Sequence, residues 1–176
     1  MNIRDIHDRA MTLYRDWYPD LAGRPNGGGC LYIMQVTLKA CLDLKVAARP
    51  VAGSAHWRMN DLPYPQSNTF SYVWSPERLE SIRAVKSGGL PEMHCWIEVR
   101  QTGGVLDCSL AQVYRHALAL GHKWTLPQLP PFIHGPYHGP GYIYEPIKEA
   151  TEFAIDALKC GIEGKELPKL SAWASQ

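Results

Sequence analysis

Apolar residues recur at every third or fourth position in two segments near the N-terminus, which predicts two helices. The first starts after the capping residue Asn2 and ends before Pro19, which cannot continue a helix. The second runs from Leu31 to about Asp43, and the apolar side chains on most of its faces predict that it is buried. Residues 19–29, which are rich in glycine and proline, predict a loop that leads directly to Cys30.

Beyond the second helix the pattern changes to that of strands. Four segments rich in β-branched, aromatic or small residues predict strands, at 46–58, 69–74, 93–99 and 105–108. Two further helices are predicted at 110–120 and 147–158. We expect a single α+β domain at 1–160, in which a helix packs on a small antiparallel sheet, followed by a frayed tail at 161–176.

The segment 126–146 is dense in proline, glycine and tyrosine and predicts a long, ordered or partly ordered loop. A loop of this length either crosses a binding cleft as a flap or wraps the surface to bury its aromatic side chains. His134 and His138 have the spacing of a helical metal-ligand pair, but a Gly-Pro dipeptide lies between them, so we expect no metal site there.

The composition is that of an ordinary globular protein and excludes several classes of function. The chain has 176 residues, and 18 Lys and Arg against 17 Asp and Glu give a net charge of +1, so the charge does not predict nucleic-acid binding. No apolar run approaches the ~20 residues of a membrane span, and the N-terminus does not resemble a signal peptide. We therefore expect a cytoplasmic protein without a membrane partner. Five cysteines without a CxxC pair are expected to be thiols, and no metal or cofactor is predicted.

Cys30 is the first candidate for chemistry. A thiol in the first turn of a buried helix lies at the positive end of the helix dipole, where unsatisfied N–H groups favour the thiolate. Gly29 and the glycines before it would let a substrate approach the backbone without obstruction. Taken alone, Cys30 is more simply a packed core cysteine.

The predicted hairpin brings a histidine and an aspartate onto one face of the sheet. With a loop spanning residues 100–103, Asp107 lies opposite Trp96 and diagonal to His94, at roughly 7 Å between β-carbons. A tighter turn would place Asp107 opposite Glu98, too far from the histidine. Each residue taken alone has a simpler explanation, His94 as a hydrogen-bonded structural histidine and Asp107 as an acid that ends a hairpin or caps a helix.

A cysteine at a helix start, a histidine on a strand and an aspartate on the next strand can act as a nucleophile, its base and the group that orients the base. Two more cysteines, Cys95 and Cys108, adjoin the histidine and the aspartate. Because neighbouring side chains of a strand point to opposite faces, we expect both of them in the core.

In these elements the sequence resembles the transglutaminase-like branch of the papain-like cysteine protease superfamily. About half of the chain carries the resemblance, in the helix headed by Cys30, the strand 45–53, the HxWxE strand 94–99 and the Leu-Asp strand end 105–107. The resemblance implies a papain-like, transglutaminase-like core. It also implies that Cys30 is the nucleophile, that His94 is the general base and acid, and that Asp107 orients the imidazole.

We expect Cys30 to form a thioester with a peptide or protein amide. The oxyanion is expected to lie on the backbone N–H of Cys30 and on a second donor from the preceding loop, for which Asn26 is the candidate and Arg24 or another backbone N–H the alternative. Trp96, which shares a face with His94, either shields the histidine–aspartate contact from water or is a plain core residue. Gly29 departs from the family, which often has a bulkier residue there. The Gly-Gly-Cys element is also similar to arylamine N-acetyltransferases, which are longer and continue differently after the aspartate.

Three functions therefore remain open at this point. The first is a cysteine-dependent amide hydrolase or acyl transferase of the peptidase or transglutaminase kind. The second is acyl transfer like that of the arylamine N-acetyltransferases. The third is a catalytically inactive papain-like module that binds a partner or has a structural role. The oligomeric state is not predicted.

Overall fold

The computed structural model describes residues 2–22, 29–62, 68–74 and 92–159. Five helices lie in these ranges: α1 (Ile3–Trp17), α2 (Pro19–Ala22), α3 (Gly29–Asp43), α4 (Leu110–Ala119) and α5 (Lys148–Lys159). Seven strands lie in the same ranges: β1 (Ala48–Arg58), β2 (Thr69–Tyr72), β3 (His94–Val99), β4 (Gly104–Asp107), β5 (Ile133–Gly135), β6 (His138–Gly139) and β7 (Tyr142–Pro146). The protein has the α+β architecture that the sequence predicts. Asn26 and the expected tail at 161–176 lie outside the described residues.

The two N-terminal helices follow the pattern that predicts them. The side chain of Asn2 caps α1 by accepting a hydrogen bond from the backbone N–H of Arg4 at 3.1 Å. The predicted loop between the helices is wrong at both ends, because residues 19–22 form a helical turn and α3 already begins at Gly29. Proline is favoured at the first position of a helix, so Pro19 ends one helix and begins the next.

The strands form one antiparallel sheet in the order β5-β4-β3-β1-β7-β6, with β2 also paired to β1. Strand β1 is long enough to hold two strands along one edge. Its residues 48–53 pair with β3 and its residues 55–58 pair with β2, whereas residues 53–57 pair with β7 on the opposite edge. Strands β3 and β2 therefore follow one another along the same edge of β1.

The prediction of a long loop at 126–146 is wrong from Ile133 onward, because that part contributes three strands to the sheet, whereas residues 126–132 form no helix or strand. Strand β5 pairs with β4, and β6 and β7 form a hairpin that places β7 against β1. The hairpin turns at Gly141, whose φ of 81° requires glycine. The segment is thus part of the sheet rather than a flap, and its Tyr144 is fully buried.

Two apolar layers cover the two faces of the sheet. Helices α1, α3 and α5 pack on one face, together with side chains of β3 that include Cys95 and Ile97. Helix α4 packs on the other face against Trp57, Trp96 and Tyr144. Helix α3 is largely buried, as its apolar pattern predicts. Among the described residues, no helix combines the length and the apolar character that a bilayer crossing requires.

At Gly53, strand β1 lies close to the backbone at the end of β7. A β-carbon on Gly53 would lie 2.0 Å from the carbonyl oxygen of Glu145 and 2.8 Å from the amide nitrogen of Ile147. We predict that Gly53→Ala lowers the free energy of unfolding by at least about 2–3 kcal/mol, because backbone rather than a flexible side chain has to move. Urea unfolding followed by circular dichroism measures this loss.

The control for this prediction is Gly121→Ala. Gly121 has a φ of 82°, but a β-carbon there meets no atom within 4 Å, so the expected cost is only the ~1 kcal/mol of the left-handed conformation. Equal losses for the two variants would contradict the proposed close approach at Gly53.

Candidate active site

The β3–β4 hairpin places a histidine and an aspartate in contact. Val99 pairs with Gly104, which leaves residues 100–103 as the loop and puts Asp107 diagonal to His94 on the same face. This is the wider of the two loops considered from the sequence. Nε2 of His94 lies 2.7 Å from Oδ2 of Asp107, and the two side chains are 0% and 1% exposed.

Two more residues complete the surroundings of the Asp107 carboxylate. The hydroxyl of Tyr144, on β7, donates to Oδ2 at 2.7 Å. The backbone N–H and the hydroxyl of Ser109 donate to Oδ1 at 2.8 and 2.7 Å. Burial raises the pKa of Asp107, but the charge of His94 and these hydrogen bonds outweigh it, so the pKa is held below its ordinary value.

Cys30 lies in the first turn of α3, half-buried, at the end of the sheet where β3 begins. As a thiol it donates to the carbonyl oxygen of Met93, with 3.7 Å from Sγ to oxygen. A hydrogen bond from the Cys95 thiol and the neighbouring His94 imidazole lower the pKa of Cys30 well below its ordinary value, against the effect of burial. The site therefore favours a thiolate at Cys30.

The His94 imidazole carries the complementary charge. Burial acts to lower its pKa, but the charge of Asp107, the hydrogen bond to it and the nearby Cys30 raise the pKa to about 9. Nε2 is taken by Asp107, whereas Nδ1 is buried and forms no hydrogen bond within the described part of the chain. Nδ1 is thus the ring nitrogen that does not face Asp107.

Aromatic rings enclose the imidazole. Trp57 meets it edge-on, with ring centroids 4.8 Å apart. Trp96 stacks on it at 6.2 Å and Tyr72 at 5.6 Å. Trp96 is 1% exposed and packs beside the imidazole as part of the core.

The remaining residues expected at the site have different outcomes. Asn26 lies outside the described residues. Gly29 is the first residue of α3, and the space that a side chain would occupy there is bounded by Gln112 and Tyr14, at 3.3 and 3.5 Å. A glycine at this position therefore lets the start of α3 pack closely against α1 and α4. In the described ranges, no group of three or more His, Cys, Asp or Glu side chains could hold a metal ion.

Sequence reasoning missed four contributors to the site. Ser109 has a local signal, since a serine two residues after an aspartate commonly closes a turn with it. Tyr144 and Tyr72 have none, because long-range strand pairing brings them to the site. Cys95 does pack in the core on the face opposite His94, as predicted, but α3 covers that face and places Cys30 beside it.

The chain is similar in fold to a protein of known structure. No family model matches the chain, and no curated protein matches it. A solved structure described as "The crystal structure of genomics APC5867" matches with a TM-score of 0.54 and 14% sequence identity, over 92% of this chain and 73% of that chain. At this identity the likeness shows a shared fold alone.

We predict that Cys95→Ala raises the pKa of Cys30, because the thiolate loses the hydrogen bond from the Cys95 thiol. An increase of about half to one unit is expected. The measurement is the rate of alkylation by iodoacetamide against pH, with mass spectrometry to assign the modified residue. Cys41→Ala is the control. Cys41 is a buried thiol on α3, the helix that carries Cys30, and burial alone raises the pKa of Cys41. Superimposable profiles for the two variants would refute the role of Cys95.

Proposed function

We propose that the protein is a cysteine-dependent amide hydrolase or acyl transferase in which Cys30 forms a thioester with its substrate. The buried His94–Asp107 pair carries the proposal, because it holds one ring nitrogen and leaves the other for the thiol. A lowered Cys30 pKa beside a raised His94 pKa favours the thiolate–imidazolium pair, which is the reactive form of such a site.

In the proposed reaction, the Cys30 thiolate attacks the amide carbonyl carbon. The C–N bond then breaks, and Nδ1 of the imidazolium gives its proton to the leaving amine. The resulting thioester is attacked by water or by a second amine, which loses a proton to Nδ1, and the thiolate leaves. Throughout, Asp107 accepts a hydrogen bond from Nε2–H, which holds the imidazole in one tautomer and stabilises its cation.

The exposure of the three residues supports this division of roles. Cys30 is half-buried and can meet a substrate, whereas His94 and Asp107 are buried and protected from water. The backbone N–H of Cys30, at the positive end of α3, is one donor for the oxyanion, and we propose Asn26 as the second. The substrate class that fits is a peptide or protein amide, as the resemblance implies.

A transglutaminase-like or papain-like relationship also belongs to the proposal. In its support, α3 begins with Gly29 and Cys30 and packs on an antiparallel sheet, whose neighbouring strands β3 and β4 carry the histidine and the aspartate. An inactive module of the same fold would have no need of a thiol with a lowered pKa. The pKa of Cys30 therefore separates an enzyme from an inactive module.

The direct test is acylation by p-nitrophenyl acetate. We predict a burst of one nitrophenolate per protein and an acetyl group on Cys30, found by intact mass and peptide mapping. Cys30→Ser should abolish both, while Cys41→Ser should retain both. Decay of the acetylated protein in water, compared with decay in the presence of a primary alkylamine, separates a hydrolase from a transferase. Acetylation elsewhere, or at an equal rate in Cys30→Ser, would refute the proposal.

Asp107→Asn tests the electrostatic part of the mechanism. Removing the carboxylate takes away the largest of the effects that raise the pKa of His94 and leaves burial opposed by Cys30 alone, so that pKa is expected to fall well below about 9. A smaller fraction of His94 is then protonated just below pH 9, and alkylation of Cys30 there should slow by roughly tenfold or more. The control is Asp43→Asn, which removes a carboxylate paired with Lys39 and Arg9 at the far end of α3. An unchanged rate in Asp107→Asn would contradict the mechanism.

A further inference from the structure

Three rings stand in a row along one edge of β1. Val51, Gly53 and Ala55 are two residues apart on this strand, so their partners share one face and lie about 6.8 Å apart along the strand. Those partners are Trp96 and His94 on β3 and Tyr72 on β2. Along this edge of β1, β3 ends and β2 begins between the positions of His94 and Tyr72.

The two outer rings of the row both stack on the imidazole between them. The Trp96 ring lies 21° from parallel to the imidazole, with centroids 6.2 Å apart. The rings of Tyr72 and His94 are 7° from parallel with centroids 5.6 Å apart. Tyr72 is half-buried, whereas Trp96 on the other side of the imidazole is fully buried. Tyr72 is therefore the solvent-side cover of His94.

A hydrogen bond fixes Tyr72 in this place. Its hydroxyl lies 2.5 Å from Nδ1 of His116, on α4. Burial raises the pKa of Tyr72, so the hydroxyl keeps its proton, and burial lowers the pKa of His116, so Nδ1 is free to accept. The tyrosine is thus held by β2 through its backbone and by α4 through its hydroxyl, while only its ring stacks on the imidazole.

We propose that Tyr72 is a positioning residue of the active site, whose ring stacks on the outer face of His94 and stabilises the imidazolium while Cys30 is ionised. An aromatic face attracts a cation that lies within about 6 Å of its centroid, and the attraction grows where water is excluded. The inference rests on the proposed function, since it assigns Tyr72 a task only in a site that uses the thiolate–imidazolium pair.

Tyr72 is also the neighbour that can be changed most cleanly. Asp107 on β4 and Cys30 on α3 act directly on the charge of His94, and the Tyr144 ring on β7 lies 6.0 Å from the imidazole between centroids. Tyr144 donates a hydrogen bond to Asp107, and Cys95 on β3 donates one to Cys30. Tyr72 makes its hydrogen bond to His116, so replacing it leaves the bonds of His94, Asp107 and Cys30 in place.

The experiment is the pH dependence of Cys30 alkylation by iodoacetamide. In the wild type, the alkylation rate is expected to change in two steps as the pH rises. The lower step is the ionisation of Cys30 beside the imidazolium, and the upper step, near pH 9, is the loss of the proton from His94. Tyr72→Leu keeps an apolar cover but removes the aromatic face. This variant should move the upper step down by about half to one pH unit, because the imidazolium loses the attraction of the ring. The lower step should stay in place, because His94 is protonated both before and after Cys30 ionises.

Two further variants separate the ring from its hydroxyl and from general packing. Tyr72→Phe keeps the stack and should leave both steps at their wild-type positions. Tyr114→Leu replaces a half-buried tyrosine that packs on Trp124 instead, with centroids 5.4 Å apart, and should also leave both steps in place. Tyr72→Met provides a second non-aromatic variant if Tyr72→Leu does not fold by circular dichroism.

The outcomes distinguish this inference from the proposed function. An ordinary thiol profile for Cys30 in the wild type would overturn both. A two-step wild-type profile that persists unchanged in Tyr72→Leu or Tyr72→Met would overturn the role of Tyr72 alone. A shift of the upper step in Tyr72→Phe as large as that in Tyr72→Leu would also overturn it, since the hydroxyl rather than the ring would then matter.

Discussion

Asp107 carries its charge where water is excluded, and a carboxylate in such a place is stable only when donors surround it. His94 and Tyr144 meet one oxygen, and the main chain and hydroxyl of Ser109 meet the other. Because these donors come from β3, β7 and the chain after β4, the carboxylate holds three parts of the sheet in one arrangement. Its charge raises the pKa of His94, and the imidazole in turn lowers that of Cys30, so the state of the thiol depends on Asp107.

Strand β1 supplies the geometry that this charge network needs. It pairs with β3 and β2 along one edge and with β7 along the other, so the histidine, the tyrosine stacked on it and the tyrosine bonded to Asp107 all take their positions from one strand. Gly53 lies opposite His94, and the absence of a side chain there admits the close backbone at the end of β7. A glycine in the middle of β1 thus allows the sheet to pack next to the pair that holds the histidine.

Cys95 illustrates how a correct local prediction can still miss a contact. Strand alternation places it on the face opposite His94, and it does lie there in the core. The same face receives α3, whose first turn brings Cys30 to the end of the sheet. Cys30 thereby meets the imidazole from one face and the Cys95 thiol from the other, which no periodicity within β3 could show.

The order of residues along the chain was enough to predict the helix headed by Cys30, the hairpin that carries His94 and Asp107, and the α+β class, because these depend on contacts between near neighbours. The hairpin itself allowed two registers, and the folded protein has the one that brings the histidine to the aspartate. The strands at 133–146, the bond from Tyr144 to Asp107 and the stacking of Tyr72 on His94 were decided only in the folded protein. Each depends on pairing between segments that are far apart in the chain. The free energy of such pairing comes from backbone hydrogen bonds and from burial, which many different partner segments of suitable polarity could provide, so the sequence alone does not identify the partner. Local pattern therefore identifies the members of the site, whereas the tertiary structure determines which of their neighbours tune it.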